Sequence, residues 1–93
     1  MSGIHLHADR LQLTVGGPAT GVSAVASSVA LADAVQFVGT GESATFTTRR
    51  TSDRRLDLVV TPGDCAGWFF LSAMAPLSEW RTILFTVSEG APP

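Results

Sequence analysis

The sequence predicts a mainly β protein, an antiparallel β-sandwich or barrel of about five to six strands with one short α-helix at about residues 65–75. Three observations predict this fold class. Apolar and polar residues alternate with a period of two in several segments. Turns containing Gly, Pro, Ser and Asp separate these segments. One aromatic-rich segment lies instead between a capping aspartate and a proline. The 93 residues are predicted to form one β-rich domain.

The first predicted strand region begins at Ile4 and continues to Val15. Ile4 and Leu6 fall on one face of it, and His5 and His7 fall on the other. A Gly-Gly-Pro sequence ends the region, because Gly adopts turn conformations and Pro donates no ladder hydrogen bond.

The middle of the chain is predicted to be extended. Residues 19–34 have a blurred pattern that fits a weak helix or an irregular strand, and extended structure is favoured. Strands are predicted at 35–38, 44–48 and 56–60, the last from a clear alternation. The Gly-x-Gly sequence at 39–41 lacks the Lys and the following helix of a phosphate-binding loop. It is therefore interpreted as a hairpin turn.

The C-terminal part supplies the helix and the last strand. Asp64 is placed to cap a helix that would run to about residue 75, and Pro76 would end it. A strand is predicted over residues 80–87, with Ile83, Phe85 and Val87 alternating on one face. The polar, Pro-containing residues from about 88 onwards are predicted to form a flexible tail.

The composition limits the function classes. Charged residues make up 15% of the chain, against about 25% in an average protein, and every basic residue is Arg. This balance suits a surface that other protein chains cover, since interfaces favour Arg over Lys; a GC-rich genome would give the same bias. The net charge of −2 argues against a general nucleic-acid binder. A single cysteine excludes a disulfide within the chain.

No targeting segment or membrane span is apparent. The N-terminus carries histidines and an aspartate where a signal peptide needs an apolar run. The longer apolar stretches are interrupted by charged residues, Pro and Gly. We therefore expect no membrane partner, and either an intracellular protein or part of a particle assembled inside a cell.

Two features of the sequence are candidates for metal binding or catalysis. His5, His7 and Asp9 would project from one face of a strand, a set that can bind zinc or iron; the alternative is the solvent-facing side of an amphipathic strand, which we favour. Cys65 would lie at a helix N-terminus, where thiol reactivity rises, or would be a small apolar side chain. No carboxylates are paired for acid–base catalysis. The sequence predicts no enzyme, no cofactor and no metal.

The densest charge feature is a group of four arginines around the turn at residues 51–53. These hairpin arginines are Arg49, Arg50, Arg54 and Arg55. They are expected to face one another across a hairpin, where like charges are destabilising. An acidic partner would relieve the repulsion, and three interpretations stay open: contact with a neighbouring subunit, contact with nucleic acid phosphates, or a solvated hairpin tip.

The aromatic residues near the predicted helix are mostly core candidates. Trp68, Phe69 and Phe70 are consecutive, so they cannot all face one side of a helix. At least one should be exposed or covered by another chain. Phe70 and Trp80 are therefore predicted, with the hairpin arginines, to belong to an interface.

Two stretches of the sequence carry a resemblance to a known family. The first joins the strand Leu56-Asp57-Leu58-Val59-Val60, the turn Thr61-Pro62, and Leu71-Ser72-Ala73-Met74. The second is the opening strand Asp9-Arg10-Leu11-Gln12-Leu13-Thr14-Val15-Gly16-Gly17, with the Thr- and Arg-rich residues 45–50 further on. In these stretches the chain resembles the tail tube proteins of tailed phages and of phage-derived contractile particles.

The resemblance implies a sandwich or barrel subunit that closes into a ring, with rings that stack into a tube. It places the segment Leu71–Met74 in a short helix packed outside the sheet. The function it implies is a self-associating structural subunit of a phage-like particle (a tube, tube-end, baseplate or neck component) assembled in a bacterial cytoplasm. The partners would be other copies of the chain and other particle proteins. The alternative is a small recognition module that binds a protein, glycan or nucleic-acid ligand.

Overall fold

The computed structural model describes residues 3–76 and 80–90. This part of the chain forms eight strands and one helix. The elements are β1 (Ile4–Ala8), β2 (Gln12–Thr14), β3 (Thr20–Ala26), α1 (Val29–Ala34), β4 (Gln36–Thr40), β5 (Ala44–Ser52), β6 (Arg55–Pro62), β7 (Gly67–Met74) and β8 (Arg81–Ser88). The predicted mainly β class is confirmed.

The strands form two four-stranded sheets. Sheet A has the order β1-β3-β6-β5, and sheet B has the order β2-β8-β7-β4. All neighbours are antiparallel except β2 and β8, which are parallel. With β1, β3, β6 and β5 as strands A, B, E and D, and with β4, β7 and β8 as C, F and G, this is the strand order of an immunoglobulin-like sandwich. The strand order describes the fold and does not by itself assign a function.

The core lies between the two sheets, where alternate residues of each strand meet. The largest fully buried side chains are Leu58 and Val60 of β6, Leu71 of β7 and Phe85 of β8. The alternation predicted for residues 56–60 and 83–87 is confirmed, since β6 and β8 bury every second residue. Period-two burial therefore decides which side chains reach the core.

The helix predicted at about residues 65–75 is wrong, because this segment is strand β7. Phe69, Leu71 and Ala73 are buried between the sheets, whereas Trp68 and Phe70 are exposed. This is a period-two pattern, and aromatic residues also favour strands. Asp64 lies in the turn before β7 and caps no helix. The helix that the tail tube resemblance implied at Leu71–Met74 is likewise absent.

The one helix in the described residues is α1, inside the segment that we predicted to be extended. Ser28 is its N-cap, and its hydroxyl accepts a hydrogen bond of 3.1 Å from Leu31 N. Leu31 and Ala32 are the buried residues of the helix. Residues 20–26, in contrast, are extended as β3, so the prediction for residues 19–34 holds in its first half and is wrong in its second.

The strand number exceeds the predicted five to six for two reasons. The opening region divides into β1 and β2, because the chain crosses from sheet A to sheet B between Ala8 and Gln12. The segment predicted as a helix adds β7. At the C-terminus, β8 includes Ser88, which the prediction had assigned to the tail; residues 91–93 lie outside the described part.

One close approach of backbone to side chains fixes the contact between the sheets at β4. An added Cβ on Gly39 would lie 2.6 Å from Phe69 Cζ and 2.8 Å from Phe46 Cε1. The two aromatic rings, one from each sheet, have centroids 6.3 Å apart. A glycine at this position of β4 therefore leaves the room that the two rings occupy.

Candidate functional site

The hairpin arginines lie on the β5–β6 hairpin, but they do not face one another as predicted. Arg49 is opposite Asp57, and Arg50 is opposite Leu56. An irregularity between Arg50 and Ser52 shifts the register, so that Ser52 faces Arg55. The register of β5 and β6 before this irregularity therefore places a carboxylate or an apolar side chain, and not a second cation, across from each arginine of β5.

Two of the hairpin arginines are paired with carboxylates of the same chain. Arg55 Nε lies 3.0 Å from Asp57 Oδ1. Arg50 forms an ion pair with Asp33, which ties the hairpin to α1, and its guanidinium also donates to the carbonyl oxygens of Ser52 and Asp53. In the part of the chain that the structure describes, no ion pair is formed by Arg49 or Arg54. The unpaired positive charge is therefore smaller than the sequence indicated.

The predicted metal candidates are close in sequence but do not form a site. His5 and His7 are exposed on the outer face of β1, on the side opposite the buried Ile4. Asp9 follows the strand, and its carboxylate lies over Gly21 of β3. Among residues 3–76 and 80–90, no group of three or more His, Cys, Asp or Glu side chains could hold a metal ion.

Cys65 is exposed in the turn between β6 and β7. Because β7 is a strand, the thiol is not at the start of a helix, and the dipole argument for its reactivity no longer applies.

The outer faces of the two sheets differ in chemistry. The outer face of sheet A carries charged and titratable residues, among them His5, His7, Arg49, Arg55 and Asp57. The outer face of sheet B carries apolar side chains surrounded by hydroxyl and amide groups. Its uncharged polar residues are Gln12, Thr14, Gln36, Thr40, Ser72, Thr82, Thr86 and Ser88.

The apolar centre of sheet B's outer face is formed by Val38, Trp68, Phe70 and Leu84, and we call it the aromatic face. Phe70 lies between Thr40 of β4 and Leu84 of β8, and Trp68 lies beside Thr86. The exposed fraction is 68% for Trp68 and 37% for Phe70. Within the described residues, no charged side chain projects from this face of the four strands. It is the most apolar exposed surface that the strand registers bring together.

Sequence reasoning identified part of this surface. The exposure predicted for at least one aromatic residue of positions 68–70 is seen at two of them. Trp68 itself was missed as an interface residue, because a helix would have turned it toward the core. The available signal was the alternation of Trp68, Phe70 and Ser72 with Phe69, Leu71 and Ala73.

Trp80 lies at a different place. It immediately precedes β8, has an exposed fraction of 69%, and borders a cleft together with Ala34, Met74 and Pro76. It is exposed, but it lies at the end of the sandwich near α1 and outside the aromatic face, and its predicted place in an interface stays a prediction.

The described residues contain no helix long and apolar enough to cross a membrane. Compared with known proteins, the chain matches no protein-family model and no curated protein.

Proposed function

We propose that this chain is a structural, self-associating subunit that packs through the aromatic face of sheet B. The observation that carries the proposal is the concentration of exposed Trp68, Phe70, Leu84 and Val38 on one uncharged sheet surface. Water contact of such side chains is unfavourable by about 25 cal/mol per Å² of apolar surface, so covering them stabilises an assembly. Among the described residues of a single copy, nothing covers them.

A second copy is the occupant that the charges favour. Because the aromatic face has no charged side chain, two copies can pack face to face without bringing like charges together. Such a contact is isologous, since each copy uses the same surface. The polar rim of threonine, serine and glutamine side chains can exchange hydrogen bonds across it.

The size of the face indicates that this contact acts with others. The four strands contain 24 residues in total, and at about 3.3 Å per residue and about 4.8 Å between strands they give a face of roughly 400 Å². Two copies would bury roughly 800 Å² in total, which is below the about 1,000 Å² expected of a specific interface. A subunit with this face alone would form a weak dimer, so a stable assembly needs a second contact.

For the host assembly, we propose a phage-like tail or tube particle, as a tube, tube-end, baseplate or neck component. Support comes from the resemblance of residues 9–17 and 56–62 to tail tube proteins and from the mainly β sandwich. The strand conformation of Leu71–Met74 departs from that family's pattern. The particle assignment therefore depends on residues 9–17, which contain β2, and on β6.

A recognition module is the second candidate, and one observation favours it. The exposed indole of Trp68 is surrounded by hydroxyl side chains on a flat strand surface, an arrangement on which the apolar side of a sugar ring can stack. This candidate predicts a monomer that binds a glycan through Trp68.

The test is the solution mass by light scattering, with negative-stain microscopy of the same samples. We expect a mass above the monomer's 9.7 kDa that rises with concentration. The double variant Trp68→Ser/Phe70→Ser should weaken association about 100-fold or more, because buried aromatic residues dominate interface energies. Trp80→Ser is the matched control, since Trp80 is equally exposed but lies off the face.

A wild-type protein that stays monomeric up to about 1 mM, a concentration at which even weak interfaces associate, would refute self-association. Glycan binding by that monomer, lost in Trp68→Ser, would establish the recognition module in its place.

A further inference from the structure

Sheet A has two open edges that run in opposite directions. All three neighbouring pairs, β1–β3, β3–β6 and β6–β5, are antiparallel. Three reversals leave β5 antiparallel to β1. A second copy placed beside the first in the same orientation therefore brings its β5 antiparallel to β1, and the sheet can continue between copies with one type of ladder.

The edge strand β5 has little protection along its first half. It is nine residues long, and residues 44–48 contain no charge, no proline and no bulge. Natural edge strands are usually shortened, charged or interrupted, because an open edge pairs readily with another chain. In β5 the arginines and the irregularity come only after Thr48.

The backbone groups at both edges point outward at matching positions. Gly63 N, just after β6, donates to Ser43 O, just before β5. By alternation the backbone groups of Thr45 and Thr47 also point to β6, and Phe46 between them directs its N–H and C=O to the open side. On β1, Gly3 O accepts from Ser27 N, so by the same alternation Ile4, Leu6 and Ala8 direct their backbone groups away from β3. The carbonyl of Ile4 already accepts from Arg81 Nε, so the open part of this edge is at Leu6 and Ala8.

The same residues leave apolar side chains incompletely covered. Phe46 of β5 and Leu6 and Ala8 of β1 pack against the core but are only half-buried. Beside β1, the side chains of Leu6 and Ala8 line a groove together with Leu11, Ile83 and Leu84. The groove offers an apolar site next to the open edge of β1.

We propose that β5 of a second copy adds to β1 as an antiparallel strand and places its Phe46 against the groove. In this register Phe46 lies opposite Leu6, and Ala44 lies opposite Ala8. All four residues direct their backbone N–H and C=O toward the other copy, and all four side chains are apolar. On the outer surface this register places Thr47 opposite His5 and Thr45 opposite His7. Arg49 then falls beyond the end of β1, opposite Gly3.

This contact rests on the proposed self-association and specifies it further. It is heterologous, because one copy contributes β5 and the other contributes β1. After one contact forms, one copy still has an unpaired β1 and the other an unpaired β5, and each can bind a further copy. The contact therefore generates a closed ring if the rotation between copies closes, and a filament otherwise. It supplies the second contact that the aromatic face needs.

Directed disulfide formation tests the register. In the Cys65→Ser background, a His5→Cys variant is mixed with a Thr47→Cys variant and oxidised. These positions would form a non-hydrogen-bonded pair with Cα atoms about 4.5 Å apart, which is within disulfide reach. We expect a cross-linked dimer of the two variants. His5→Cys mixed with Thr61→Cys is the control, since Thr61 is an exposed threonine on the same sheet face but on the interior strand β6.

A second variant avoids dependence on the cross-link. Thr48→Pro removes an N–H that points to the open side of β5 and leaves the β5–β6 ladder bonds in place. We expect it to lower the mass of the assembly while its unfolding transition stays cooperative. If the wild type assembles but the Thr47 mixture gives no more dimer than the control and Thr48→Pro leaves the mass unchanged, the edge contact is refuted and self-association stands. A monomeric wild type would instead refute both.

Discussion

At the scale of single residues, Gly39 is a position where the sequence has little freedom. A methyl group there would lie 2.6 Å from Phe69 Cζ, and Phe69 is only 2% exposed, so its ring has no space to retreat. The second ring in contact, Phe46, blocks the other side. Because the two rings join the sheets, a displacement of either is transmitted to the core.

We therefore predict that Gly39→Ala lowers the free energy of unfolding by about 1–3 kcal/mol, the usual cost of overpacking. Denaturant unfolding measures it. Gly63→Ala is the matched control, because its Cβ would lie 3.5 Å from the nearest atom, an ordinary contact. Equal stability of the two variants would contradict the packing argument.

The hairpin arginines show that the partner of a charged residue cannot be predicted from sequence spacing alone. Four arginines around a turn indicated mutual repulsion, and repulsion indicated an acidic partner. In the structure, the register of β5 and β6 sets Arg49 opposite Asp57, and Asp33 from α1 meets Arg50. Neither this register nor the position of α1 has a signal in the local sequence, so the pairing was not predictable.

At the scale of elements, β7 is the segment on which prediction and structure differ most. Its consecutive aromatic residues and the flanking Asp64 and Pro76 indicated a helix. In the structure, β7 lies between β4 and β8, and one of its faces is buried against sheet A. Packing against sheet A therefore favours a strand over a helix in this segment, and the aromatic residues alternate between the core and the outer surface.

We predict that alanine substitutions along β7 will alternate in cost. Phe69→Ala should lower the free energy of unfolding by about 3–5 kcal/mol, as for a buried aromatic residue. Phe70→Ala should cost about 1 kcal/mol or less, because the ring lies on the outer face of sheet B and not between the sheets. Thermal or denaturant unfolding of the two variants measures the difference, and similar costs would argue against the strand.

The remaining elements differ in how far they were predictable. β6 and β8 followed from alternation because both bury every second residue. The helix α1 was missed because it has only six residues and its Ser28 cap stands among other small residues. Its position depends on packing of Leu31 and Ala32, which the sequence pattern does not reveal.

At the scale of the whole molecule, charge and apolar surface are separated. The hairpin arginines, α1 and Trp80 lie toward one end of the sandwich, and Glu42 and Asp64 lie in turns at the other. The outer face of sheet A is charged, and the aromatic face is not. Of the predicted interface residues, Phe70 alone lies on the aromatic face. The other residues of that face were not predicted, because the sheet order that brings β7 beside β8 and β4 is not visible in the sequence.

We predict that self-association is insensitive to salt. Raising NaCl from about 0.1 M to about 1 M shortens the Debye length from about 10 Å to about 3 Å, which screens contacts between exposed charges but not apolar burial. The association constant from light scattering should change by less than about threefold, and sulfate should increase it. A large loss at high salt would instead assign the contact to the hairpin arginines.

Cys65 gives the assembly an internal marker of direction. It is the single thiol of the chain, it is exposed, and it lies in the turn between β6 and β7, at the end of the sandwich opposite α1. If copies join edge to edge through β1 and β5, they all point the same way, and their thiols form one row along one rim. A spin label or gold particle attached there would mark the direction of each edge-to-edge row of copies without any change to the sequence.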